Sequence, residues 1–124
     1  MSNGTIKVCD LAGAQLALWV ARAEGIEQAL GVKLYASGPC LYKETPWGGG
    51  EPFDYRPDSR WAHGGPILER ECIGVMPAFE GGELFWIAGH RDVGGGVKGD
   101  APLVAAMRAY VASKFGHEVP EVSL

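Results

Sequence analysis

The sequence is short of cysteine, of long apolar runs and of positive charge, and each shortage removes a class of protein. Cys9, Cys40 and Cys72 are odd in number, far apart and without a C-x-x-C pair. This argues against a secreted disulfide framework and fits a reducing cytoplasm. No stretch approaches the ~18 consecutive apolar residues of a membrane span, and the opening MSNGTIKVCD has neither a charged leader region nor an apolar one. The expectation is a cytoplasmic protein with no membrane partner. Eleven Lys and Arg face 15 Asp and Glu, a net charge of -4. The global field therefore repels polyanions and offers no footprint for duplex nucleic acid, so an anionic ligand must be held locally. His63, His90, His117 and the cysteines lack metal-ligand spacing, and neither a metal nor a cofactor is expected.

What is present is ordinary globular usage. In 124 residues, 47% are hydrophobic, while 19 Gly and 8 Pro imply long loops around one core. With no repeat, heptad or charge block, the whole chain, 1–124, reads as a single domain. Thr5 to Val8 reads as a short strand, with Asp10 capping a helix from Leu11 to Glu24 that Gly25 closes. That helix is apolar nearly all round, which predicts contact on two sides. Val32 to Ala36 alternates as a strand, and Cys40 to Lys43 returns as its partner.

From Glu44 to Ser59 no period survives, and Pro, Gly and aromatics predict a long loop carrying Trp47, Phe53 and Tyr55. The bend Gly64-Gly65-Pro66 is expected to feed a short helix with Pro66 near its first turn. Cys72 to Phe79 and Glu83 to Ala88 read as a hairpin closed by Glu80-Gly81-Gly82, and Pro77 puts its first strand at an edge or a bulge. Gly89 to Gly99 reads as a flexible loop ending at Asp100, the expected cap of a helix from Ala101 to Phe115. His117 to Leu124 is a tail. The fold class is α+β: a small antiparallel sheet packed with an N-terminal and a C-terminal helix, plus a short central helix and long glycine-rich loops.

Chemistry has few places to sit. Glycines at Gly64-Gly65 would let a ligand approach the backbone, and a helix start there would offer unpaired N–H groups to a phosphate or carboxylate. Trp61 would stack on a ring, His63 lies between, and Arg70 would reach round as a charged donor. The same bend also reads as a plain turn with Trp61 in the core. Arg108 projects beside the apolar stripe of the last helix, where it and Arg22 would line a groove or simply cover apolar surface. Trp47 in the aromatic loop is a further ligand contact, or part of a lid over the core. For nucleophilic catalysis the only pairing the sequence permits is Cys72 with His63 or His90, no signature surrounds it, and an inert buried Cys72 is the expectation. No catalytic residue is assigned.

Three stretches resemble the NinX family of small phage and prophage proteins. Asp10 to Ala21, with Glu24-Gly25, is similar to its opening helix. Arg60 to Glu71 resembles its W-A-x-G-G-P-I-I-E-R-E motif, and Ala101 to Gly116 its closing T-P-L-I-A-A-M-R-C-Y-V-A-S-K-L-G. Ala101, Ala109 and His63 depart from the pattern. The resemblance implies a phage accessory protein in the host cytoplasm. Together with the cation-and-glycine constellation it gives the leading expectation, a non-enzymatic sponge for a small nucleotide-like anion such as a host immune signalling nucleotide. A homo-oligomer that assembles the site across an interface belongs to that reading. The alternatives are an inhibitor or adaptor that docks on a host protein through loop 44–59, and a nucleotide hydrolase.

Overall fold

A computed structural model describes residues 4–120 of the protein. Its elements, in chain order, are β1 (Thr5–Lys7), a 3-10 turn (Val8–Asp10), α1 (Gly13–Ala23), α2 (Ile26–Leu30), β2 (Leu34–Ser37), β3 (Cys40–Glu44) and β4 (Gly50–Phe53), followed by α3 (Trp61–Arg70), β5 (Gly74–Glu80), β6 (Glu83–Gly89), β7 (Val97–Gly99), α4 (Pro102–Phe115) and β8 (Glu118–Pro120). The fold is α+β as expected, with three small antiparallel sheets, ordered β1-β8, β2-β3-β4 and β5-β6-β7, in place of one.

The all-round apolar character of α1 has the predicted consequence. Leu16, Trp19 and Val20 join one buried cluster with α4. Ala14, Ala17, Leu18 and Ala21 join a second with Leu34, Ala36 and Leu41 of the β2-β3-β4 sheet. Burying these aliphatic side chains stabilises the fold by about 1.5–3 kcal/mol each for the larger ones. The start of the helix differs from expectation. Asp10 lies in the 3-10 turn, and the helix begins at Gly13 behind Ala12, whose side chain makes no capping bond.

Helix α4 is the axis of the larger cluster, with Leu103, Met107, Tyr110 and Val111 buried together with Ala105, Ala106, Ala109 and Ala112. Its small residues let strands approach closely. A side chain at Gly99 would come within 2.5 Å of the Ala105 backbone nitrogen, so β7 packs backbone against helix. Its N-cap is Ala101, not Asp100. Gly116 follows the helix as expected.

Sheet pairing corrects three more readings. Loop 44–59 contains β4, which pairs with β3 in the register Leu41↔Phe53 to Glu44↔Gly50. Pro52 is tolerated because β4 is an edge strand. The glycine-rich run 89–99 ends in β7, which pairs with β6. The tail includes β8, paired with β1, and its last four residues lie outside the described ones. The expected hairpin is present: Gly81 and Gly82 have φ of 58° and 84°, as a two-residue turn with both central residues left-handed requires. Pro77 lies on the edge strand β5.

The largest correction is at α3. Gly64-Gly65-Pro66 does not precede a helix but sits inside one that starts at Trp61. Pro66 removes one intrahelical donor, and the helix accepts the loss. Gly64 is there for packing: a Cβ would overlap the Pro57 carbonyl oxygen and come within 2.9 Å of Leu103 Cδ2. Cys72 is exposed rather than buried, with φ of 56°. The turn after α3 sends Ile73 into the core and leaves the thiol outside.

Candidate functional site

Helices α3 and α4 run side by side in the same direction. Trp61 and Leu103 line one recess at their starts, Gly64 abuts Leu103, and Arg70 meets Tyr110 further along. The two ends of this pair differ in chemistry.

At the C-terminal end of α3 the polar groups are matched. Arg70 donates from Nη1 and Nη2 to the Glu24 carboxylate at 3.1 and 2.6 Å, from Nη2 to the Tyr110 hydroxyl at 3.2 Å, and from Nε to Glu71 at 3.2 Å. The Tyr110 hydroxyl donates to Glu24 at 2.5 Å. His90 Nδ1 accepts the Asp92 N–H, so Nε2 carries the proton and donates to Glu71 at 3.0 Å. Burial works to raise the Glu24 carboxyl, but the bonds from Arg70 and Tyr110 outweigh it and hold it below the usual range. Glu71 is also held low, first by His90. Burial and then Glu24 push the Tyr110 hydroxyl well above its ordinary value, and burial foremost does the same for Tyr55. Neither phenol is a nucleophile at neutral pH. The network bolts the end of α1 to α3, α4 and the end of β6. It also offsets Glu24, a carboxylate at a helix C-terminus where the dipole disfavours it.

This accounts for most of the residues that the sequence nominated. Arg108 donates to the carbonyls of Leu11 at 2.8 Å and Lys98 at 2.9 Å. Leu11 and Glu24 flank opposite ends of α1, whose 11 residues span about 16 Å. Arg70 and Arg108 therefore serve opposite ends of one helix and do not converge. Arg22 pairs with Glu27 at 3.5 Å and lies over the Trp19 ring. His63 Nδ1 accepts the Arg56 N–H at 2.9 Å while its ring stacks on Tyr55. No hydrogen bond joins Cys72 to His63 or His90 among the described residues. Gly65 lies in the helix beside the Trp61 ring. Trp47 is 79% exposed at the tip of the β3–β4 hairpin, while Phe53 and Tyr55 pack inward.

At the opposite end polar groups are left over. Asp58, Ser59, Trp61 and Asp100 line a recess of about 380 Å³ with the first residues of α4. Neither Arg60 nor Ala101 caps its helix with a side chain. The first-turn amides of Trp61, Ala62, Leu103 and Val104 thus lack the usual intrahelical partners, and two positive helix ends meet. Trp61 stays 55% exposed, whereas Asp58 is 7% exposed with its Oδ1 buried and unpartnered. Burial raises the Asp58 carboxyl above its ordinary value, only partly countered by its own backbone amide and by Arg56.

Of these residues the sequence marked Trp61 alone. Asp58 lies in a stretch where no period could assign a direction to its side chain, and an unpartnered oxygen arises only from the folded arrangement. A second recess, of about 360 Å³ between β1, β7 and β8, is floored by Val8, Val97 and Ala112. Of its two lysines, Lys7 and Lys98, the latter is turned to Glu80 and the Phe85 ring. Among the described residues no group of three or more His, Cys, Asp and Glu is placed to hold a metal ion, and no helix is long and apolar enough to cross a membrane.

The family model described as Bacteriophage P22, NinX matches residues 7–114. No curated protein matches the chain.

Proposed function

This chain belongs to the phage NinX family, and from that premise we propose that it is an accessory protein that sequesters a small nucleotide-like ligand without turning it over. The recess beneath Trp61 is the seat of binding, and the ligand class that suits the phage setting is a signalling nucleotide of host immunity. The observation that carries this reading is the meeting of two uncapped helix starts beside a half-exposed indole and a buried carboxylate whose Oδ1 has no partner. The amides and the paired dipoles suit a phosphate. The indole face suits a base. Asp58 and Asp100 would repel a bare anion, so the ligand must also bring hydrogen-bond donors, and a nucleotide brings both. The volume lies within the range of small-molecule sites.

The test is a thermal-shift panel of cyclic dinucleotides, cyclic ADP-ribose isomers and plain nucleotides. A ligand at 100 times its Kd adds about 2.7 kcal/mol and raises Tm by several degrees. Trp61→Ala removes that shift, and the ligand is recovered chemically intact. Absence of stabilisation by every member sinks the reading. Products in the recovered ligand would instead favour a hydrolase.

One observation favours a second reading. Trp47 stands nearly free at a hairpin tip, as an anchor for a host protein would. A partner captured from host lysate and lost on Trp47→Ala, with an unresponsive nucleotide panel, decides for it.

A further inference from the structure

Resting on the nucleotide-binding reading, we propose that the recess selects guanine, and that the buried carboxylate of Asp58 makes the choice. Asp58 lines the recess beside Trp61 and is more than nine-tenths buried. Its Oδ1 has no donor. Donors close in sequence are spent elsewhere: the Ser59 amide goes to the Arg56 carbonyl, and the Arg60 guanidinium to Asp54 at 2.6 Å. Arg56 attracts the carboxylate, yet no ion pair joins the two among the described residues, and Arg56 Nε is itself buried without a partner. Leaving a buried acceptor unmade costs about 1–3 kcal/mol, more when it is charged. A ligand donor recovers that energy once the carboxylate turns Oδ1, which is sealed from solvent in the unliganded fold, toward the recess.

The identity of the donor follows from hydrogen-bond inventories. An ionised carboxylate only accepts. A ring resting on Trp61 turns an edge toward Asp58, and guanine alone among the common bases offers adjacent donors there, N1–H and the exocyclic N2–H. These match two carboxylate oxygens as a guanidinium does. Adenine and cytosine offer one donor beside a lone pair, and uracil one N–H between two carbonyls. The phosphate then falls to the Leu103 and Val104 amides at the start of α4.

Titration calorimetry with GMP, IMP, XMP and AMP on the wild-type protein and on Asp58→Asn tests this. IMP lacks one donor, and losing a hydrogen bond to a charged acceptor weakens binding about 10-fold or more. GMP is therefore expected to exceed both IMP and AMP in the wild type. Asp58→Asn presents one acceptor and one donor, which match N1–H and O2 of xanthine and N6–H and N1 of adenine, so its preference moves from GMP to XMP or AMP. Equal binding of GMP and IMP by the wild type overturns the proposal without recourse to any variant, as does an Asp58→Asn protein that still prefers GMP. Binding of all four alike removes only the base assignment. Binding of none removes the nucleotide reading as well.

Discussion

The two ends of the parallel α3–α4 pair are built on opposite rules. At the Arg70 end one guanidinium answers two carboxylates and a phenol, and the buried His90 has a partner on each ring nitrogen. At the Trp61 end two helix starts lack caps, an indole faces solvent and a buried carboxylate oxygen has no donor. Polar groups saturated within the fold have little left to offer a ligand, whereas unsaturated ones keep that capacity at a cost in stability. Arg22, Arg70 and Arg108, which chemical type marks as ligand residues, are each paired within the fold. Charge alone is thus a poor guide to a site when each cation has an internal acceptor within reach.

The contrast breaks most sharply where the helices touch. Gly64→Ala forces a methyl into the Pro57 carbonyl and Leu103. Overpacking of this kind should lower stability by about 3 kcal/mol, read as a fall in the urea midpoint with an unchanged slope. An unchanged midpoint would mean that α3 sits further from Pro57 than the structure places it. Arg70→Met comes next. It takes the guanidinium from Glu24 and Glu71, but these keep Tyr110 and His90 as partners, the arginine side chain is 50% exposed and water replaces part of what is lost. The expected cost is about 1–2 kcal/mol. A neutral result would show that the bolt is cosmetic and that Arg70 is free for ligand after all.

How much of this was legible in sequence depends on the range of the forces involved. The hairpin at Gly81-Gly82, the C-terminal helix and the two-sided burial of α1 are written in local pattern, and each is found. The bend at Gly64-Gly65-Pro66 misled because Gly and Pro punctuate chains locally, while here Gly64 answers a contact with Leu103, distant in sequence. Strand β4 carries no strand signal in sequence because Pro52 and the glycines at and before its start deny it one, and the edge of a sheet forgives them. Trp61 was legible as a ring beside an anion device. The device itself is a pair of helix starts, and it exists only once α3 and α4 lie parallel.

Acid and base give the two ends opposite signs. Glu24 and Glu71 are depressed in the fold. Their contribution is complete above the unfolded carboxylate range and is lost as pH falls through the depressed folded values. Asp58 is raised. Its contribution is complete below its unfolded value and is lost as pH rises through the folded one. Urea midpoints between about pH 3 and about pH 8 should therefore show Glu24→Gln flattening the acid limb and Asp58→Asn gaining stability toward neutrality. Loss of stability by Asp58→Asn at neutral pH would mean that Oδ1 too finds a donor within the fold, and the two ends would no longer differ.

The smallest effect is the most discriminating. Trp61→Ala removes a side chain that is half in solvent and lies outside both buried clusters. In the unliganded protein it should move stability by no more than about 0.5 kcal/mol. A ring that large, kept on the surface at so little structural return, is explained by a ligand face. If its removal costs several times that amount, the indole is packing, and the recess loses the feature that separates it from an ordinary cleft between helices.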